Sequence, residues 1–368
     1  MYVPGTPSAM GHSKKLISRV LSGKILVGKS PETDVKQSIT KREGEPSIYC
    51  HNCGELGHIN KNCSHPTTSY GIILFYPTQD ISVMEENPML NSCQQGLVSE
   101  ALLENKSNGK EKCSASSDSG SYSSLGAPEI NYLLIMDRHT PDFAQIIIGN
   151  YELDDLDYLR TLVGRLTQTE AQLILTYDLR YLFTRYWSFS NRDAVRMYQK
   201  QFNRSEKLFN RLKKGIPDRG YGGRSGEYVT WKTLLDAAEP HWLDSDWGFP
   251  KGRRKRRAME SDIDCAKREF YEETGITDDQ YNILHDLEPI EEKIMGSNGV
   301  PYRTIYYIGE ARTYLPLYSN PFNLGQQSEV TKIGWYTCEQ AYNLMRPYQE
   351  SRLHILQRVH KYLGNLYT

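Results

Sequence analysis

Three glutamates at positions 269, 272 and 273 constrain this chain more than any other feature of its sequence. Residues spaced i, i+3 and i+4 share one face of a helix, so the carboxylates of Glu269, Glu272 and Glu273 project side by side. Like charges ~5 Å apart at an effective dielectric of ~20 repel by about 3 kcal/mol per pair before screening, so such a face needs either bulk solvent or a cation. One solution is a solvated acidic stripe balanced by Lys267 and Arg268. The other is a hard divalent ion, Mg²⁺ or Mn²⁺, which takes oxygen ligands and completes its sphere with water and substrate phosphate. That second solution points to metal-assisted cleavage of a phosphate compound.

The flanking residues favour the second. Gly252 precedes Glu260, seven residues separate Glu260 from Arg268, and the run REFYEETGI supplies Arg268, Glu269, Phe270, Glu272, Glu273, Gly275 and Ile276. This resembles the Nudix hydrolase signature, with one departure: seven residues instead of five lie between Gly252 and Glu260, and the excess falls in the basic stretch RRKRRAM. The resemblance implies an α/β fold, the Nudix α/β/α sandwich. It also implies that Glu269, Glu272 and Glu273 ligate Mg or Mn, that Arg268 braces the loop through a carboxylate, and that Glu273 and Arg268 belong to the catalytic set. Glu329, in SEVTKIGWY, matches a downstream glutamate that serves the family as general base or extra ligand.

WGFPKG followed by ESDIDCAKREFYEETG is most similar to the mRNA-decapping branch of that family, as found in eukaryotes and large DNA viruses. The implied substrate is capped RNA, cleaved to 7-methylguanosine diphosphate and 5′-monophosphate RNA. Lys251, Arg253, Arg254, Lys255, Arg256 and Arg257, with Gly252 among them, are six cations in seven positions beside the acidic trio. They suit a polyphosphate or an RNA backbone, as they would suit a solvated or nuclear-targeting run. Two alternatives keep the same helix: a Nudix hydrolase of diphosphoinositol or dinucleoside polyphosphates, and an RNA-binding protein with an inactive Nudix domain.

A second motif is Cys50-x2-Cys53-x4-His58-x4-Cys63, with Gly54 and Gly57 where the chain must turn around an ion. It is similar to the zinc knuckle of retroviral nucleocapsids, which binds single-stranded nucleic acid. Three thiolates and one imidazole close a tetrahedral zinc site with no open position, so the implied role is structural. His51 stands where such knuckles often carry an aromatic ring, and His65 lies outside the pattern and is expected to be exposed. Deletion of residues 1–66 is expected on this basis to weaken RNA affinity and spare chemistry.

Charge and period add to these motifs. Lys plus Arg number 44 against 45 Asp plus Glu, a formal charge of -1, so any grip on nucleic acid must be local. Between 180 and 214 there are ten cations and only Asp193 and Glu206 as acids, a local charge of +8. Arg192, Arg196, Lys200, Arg204, Lys207, Arg211 and Lys214 recur at helical spacing opposite Val195, Tyr198, Phe202, Phe209 and Leu212. Such a stripe can follow a phosphate backbone; it could equally be a solvated helix face.

No window approaches the ~18 continuous apolar residues of a membrane span, and no secretory signal opens the chain, so no membrane association and an intracellular, cytoplasmic setting are expected, host cytoplasm if viral. The organisation expected is a flexible basic arm (1–46), the knuckle (47–66), first strands with a Ser/Gly-rich loop at about 78–128 (67–150), a basic helical insertion (151–225) and the catalytic core with a C-terminal helix (226–368). NYLLIM and FAQIII read as a hairpin, YVTW, DWGF, PYRTIYYIG and VTKIGWY as strands, Asp262–Thr274 as a helix, and about 338–363 as one closing helix.

Overall fold

The computed structural model describes residues 48–78, 128–187, 191–217, 228–255, 259–296, 298–318 and 323–367. The expected arm, nearly all of the Ser/Gly-rich loop, Gly-rich 218–226, and Arg256 and Arg257 lie outside them. The strands are β1 (Thr67–Thr78), β2 (Glu129–Asp137), β3 (Ile216–Pro217), β4 (Tyr228–Val229), β5 (Trp247–Gly248), β6 (Lys251–Gly252), β7 (Tyr281–Ile283), β8 (Ile290–Met295), β9 (Pro301–Ala311) and β10 (Val330–Thr337). Among the described residues seven α-helices precede the signature: α1 (Pro141–Ile148), α2 (Leu156–Gly164), α3 (Gln168–Thr176), α4 (Leu179–Trp187), α5 (Asn191–Met197), α6 (Gln199–Lys214) and α7 (Trp231–Ala238). Then come α8 (Asp262–Thr274), α9 (Leu324–Glu329), α10 (Cys338–Leu344) and α11 (Glu350–Leu366).

β1 explains the architecture. Its apolar run is continuous because both faces are covered: Ile73 and Phe75 point into one core, Tyr70, Ile72 and Leu74 into the other. It lies at the centre of the order β10-β2-β1-β9-β7, parallel to β9 and antiparallel to β2, with β5, β6 and β8 added on β2, β1 and β9. Helix α8 covers one face with Cys265, Ala266 and Phe270, and α10 and α11 cover the other with Ala341, Leu356, Val359 and Leu363. Burying each large apolar side chain contributes ~1.5–3 kcal/mol, which is what holds three layers together. The result is the expected α/β/α sandwich. β6 comes so close to β1 that a Cβ at Gly71 would stand 2.3 Å from the Pro250 carbonyl oxygen, so no other residue fits there.

A second core, separate from the sandwich, runs from Phe143 to Leu235 and unites α1–α7. Three expectations change here. FAQIII is helix and not strand: Thr140 caps it by accepting from Phe143 N, Pro141 opens it, and Gly149 closes it at φ 70. The β-branched composition suggested a strand, but these helix-boundary residues and the burial of Phe143, Ile146 and Ile147 on one face override it. YVTW is strand only at Tyr228–Val229; Thr230 then caps α7 and Trp231 enters the helical core. The closing helix is two, because Pro347 lies between α10 and α11 and cannot supply a helical N–H. The stripe from Arg192 to Lys214 is carried by two helices, with a break at Tyr198 between α5 and α6. No helix among the described residues is long and apolar enough to cross a membrane.

Candidate active site

Helix α8 is built to end beside β6. Ser261 caps its start by accepting from Asp264 N, and Gly275 ends it in the left-handed conformation at φ 78. Glu269 and Glu273 are 1% and 6% exposed, and Glu272 is half-buried, so the solvated-stripe solution does not apply. Arg268 organises the group. It forks onto Glu260 (Nε to Oε2 and Nη2 to Oε1, both 2.9 Å), meets Glu269 Oε1 at 2.7 Å and Glu272 Oε2 at 3.2 Å, and donates to the Arg253 carbonyl at 2.9 Å. Burial alone would weaken its charge; Glu260 and Glu272 raise its pKa instead. Lys255 Nζ reaches Glu272 Oε1 at 3.0 Å, and Lys251 N donates to Glu273 Oε2 at 2.8 Å.

The donor set fits a magnesium-type cation. The donors Glu269, Glu272 and Glu273 are all carboxylates, the hard oxygen ligands such a cation takes. Arg268 holds Glu269 and Glu272, Lys255 also holds Glu272, and Lys251 N holds Glu273; the trio is less tightly gathered than the Cys/His set described below. Glu329 ends α9, which leans on α8 through Asn323 Nδ2 to the Glu272 carbonyl (3.2 Å) and Gln326 Nε2 to the Thr274 carbonyl (3.3 Å).

The basic loop divides into different roles. Lys251 and Arg253 line a cleft of about 500 Å³ between the sandwich and the helical unit. Arg253 lies 5.9 Å from the Tyr302 ring, also on that cleft. Arg254, expected at RNA, turns inward and is 5% exposed. Lys255 faces Glu272, and Gly252 is buried beneath the loop. Across the cleft stand Tyr186, Arg165 and Asp142, with Tyr348 and Arg303 from the sandwich side. Of the aromatics near the signature, Tyr306 and Trp247 belong to the buried core, whereas Tyr302 borders the cleft. Sequence reading missed Tyr186 and Tyr348, for which no local pattern exists. On the helical stripe, Arg196, Lys200, Lys207, Arg211 and Lys214 are exposed, Arg204 pairs with Glu152 at 2.9 Å, and the side chain of Arg192 lies outside the described residues.

Asp142 in this cleft gives a pH prediction. It is 4% exposed, and burial pushes its carboxyl up to about 7 against the pull of Arg165 and Arg346. The native state therefore keeps a proton that the unfolded chain gives up near pH 4, so stability falls as pH rises from about 4 to 7 and is level above. Asp142→Asn is expected to gain stability over wild type progressively through that window, by up to ~4 kcal/mol. Urea midpoints at about pH 4.5 and about pH 8 measure the gap; an equal gap at both would show Asp142 ionised throughout.

The Cys/His motif folds as its spacing implies. One ligand atom each from Cys50, Cys53, His58 and Cys63 lie within 4.8 Å of one another, with Cys53 Sγ 3.3 Å from His58 Nε2. Gly54 and Gly57 take φ 82 and 103, which a side chain would strain. His65 is exposed and sits 3.8 Å from Glu55.

Residues 230–359 match the NUDIX domain family, and the chain carries a Nudix hydrolase domain with α8 as its signature helix. The similarity extends beyond that domain to viral mRNA-decapping proteins. The chain is 26% identical to an Acanthamoeba polyphaga mimivirus protein assigned to mRNA decapping, over 86% of this chain and 94% of that one. It is 28% identical to the mRNA-decapping protein g5R of African swine fever virus, over 57% of this chain and 79% of the relative. The m7GpppN-mRNA hydrolase of Saccharomyces cerevisiae is 32% identical over 35% of this chain and 11% of its own length.

Proposed function

We propose that the chain is a metal-dependent mRNA-decapping hydrolase that releases 7-methylguanosine diphosphate and leaves 5′-monophosphate RNA. The observation that carries the reading is the cleft: its Lys251 and Arg253 are fixed by backbone hydrogen bonds to Glu273 and Arg268, so the place for an anionic, aromatic ligand adjoins the acidic trio. A cap offers that chemistry, a flat cationic base for Tyr side chains and a triphosphate for Lys and Arg.

In the proposed reaction Lys251 and Arg253 orient the phosphate bridge, and Glu329 takes the proton of the attacking water. The water oxygen forms a bond to phosphorus while the anhydride bridge adjoining the RNA's own 5′ phosphate breaks. Glu269, Glu272 and Glu273 would hold Mg²⁺ or Mn²⁺, which when bound acidifies water and offsets charge on the phosphate oxygens. Arg268 keeps Glu269 and Glu272 in register. Cys50, Cys53, His58 and Cys63 hold zinc, and the knuckle and the stripe from Arg192 to Lys214 grip the transcript.

The test is incubation with Mg²⁺ and cap-labelled RNA, a short cap analogue, or a diphosphoinositol polyphosphate. Labelled 7-methylguanosine diphosphate is expected, fastest from long RNA. Turnover of the inositol compound with intact caps would replace this reading by the small-polyanion one.

A further inference from the structure

The knuckle does not stand apart from the hydrolase. Arg254, from the signature loop, is inserted against it: Nη1 donates to the Asn52 carbonyl at 3.1 Å, and the guanidinium lies 4.3 Å from the Tyr70 ring centroid. The same side chain pairs with Asp262 and donates through Nε to the Glu260 carbonyl at 3.3 Å. A second tie runs from the Tyr49 hydroxyl to that Glu260 carbonyl at 3.1 Å. Asn52 sits between the ligands Cys50 and Cys53, its amide donating to Cys63 Sγ (3.3 Å) and the Pro66 carbonyl (2.9 Å) and accepting from Thr68 N at 2.9 Å. A Cβ on Gly54 would stand 2.9 Å from Arg254 Nη2, so any larger residue there would displace the guanidinium from its seat on the knuckle.

We infer that the zinc knuckle braces the catalytic loop, with Arg254 as the positioning residue. This deepens the proposed function and rests on it. The contacts form a continuous series. Zinc fixes residues 50–63; Asn52 and Tyr49 fix Arg254 and the Glu260 backbone; the Glu260 carboxylate, which also accepts Lys255 N, fixes Arg268; Arg268 fixes Glu269 and Glu272. A loop two residues longer than the family pattern has more freedom to lose, and a buried guanidinium deprived of the Asn52 carbonyl is left with an unmet donor. The knuckle therefore serves chemistry as well as RNA affinity, and its loss does not spare turnover.

The experiment uses the full chain, zinc-loaded and chelator-stripped, beside Arg254→Met and Arg254→Lys. Four quantities are read: zinc content, turnover of a short cap analogue, Mn²⁺ half-saturation by paramagnetic resonance, and hydrogen exchange at the Lys255 amide. Stripping zinc is expected to lower turnover and weaken Mn²⁺ binding about 10- to 100-fold, the range for residues that orient metal ligands, and to speed exchange at Lys255 while the β1 amides stay protected. Arg254→Met is expected to keep zinc and show the same losses without further loss on stripping, and Arg254→Lys to recover part of them. Unchanged Mn²⁺ half-saturation and Lys255 exchange after stripping would overturn the brace, as would a chain that never binds zinc. Absent cap hydrolysis by the zinc-loaded chain removes the decapping reading instead, and Mn²⁺ binding and exchange still decide the brace.

Discussion

Glu273→Gln is expected to lower turnover of capped RNA by at least ~10²- to 10³-fold, the cost of losing one preorganised partner of transition-state charge, while leaving the fold intact. The geometry separates these effects. Glu273 Oε2 accepts Lys251 N at 2.8 Å, and glutamine keeps an oxygen in that position while removing the charge. Glu269 and Glu272 are adjacent on the same face and both negative, so removing one of three like charges relieves repulsion. The variant is accordingly expected to melt no lower than wild type in chelator. With Mn²⁺ at 100 times its dissociation constant, wild type gains ~2.7 kcal/mol of stability and the variant gains much less. Melting with and without Mn²⁺, beside a cap-release assay, checks both. A variant that melts lower in chelator, or gains as much from Mn²⁺ as wild type, would show Glu273 to be a structural carboxylate.

The signature was legible because it is local. Residues Glu260 to Gly275 carry their helix period, their cap and their ligand chemistry in sixteen consecutive positions, and the structure places them on one helix and its flanking turn. The Cys/His set is local in the same sense. The sandwich was implied by the resemblance that this signature carries, and the apolar run Tyr70–Tyr76, buried from both faces in the structure, agrees with it. What was not legible depends on contacts between distant residues. Arg254 looks like its basic neighbours until Asn52, 202 positions away, is found beside it. FAQIII looks like a strand because Ile is favoured there, and only Thr140-Pro141 before it and Gly149 after it mark a helix. The cleft draws Tyr186, Tyr302 and Tyr348 from three separate parts of the chain, and no spacing rule joins them.

Arg346 belongs to that second group, and its replacement has the other large expected effect. It is 3% exposed and ties the two cores. Nη1 donates to the Arg165 carbonyl of the helical unit and Nη2 to the Asp244 carbonyl, both at 2.6 Å, while Nε meets Asp246 at 3.2 Å. The guanidinium also lies 4.8 Å from the Trp242 ring centroid. Arg346→Ala leaves Asp246 buried with hydrogen bonds from Tyr348 (2.7 Å) and Gln349 (3.1 Å) but without its cation. Breaking a buried pair this way costs ~3–5 kcal/mol, and those two hydrogen bonds place the expected loss at the lower end, about 3 kcal/mol. Lysine is not expected to rescue it, because one ammonium cannot reach three acceptors in the planes a guanidinium serves. The cores should then separate energetically, giving two urea transitions or a lowered first midpoint. Because Arg165 and Tyr348 line the cleft, KM for a short cap analogue is expected to rise more than kcat falls. An unchanged urea midpoint and an unchanged KM would mean that the two cores are held together by other contacts, such as Arg165 over the Tyr348 ring at 4.3 Å.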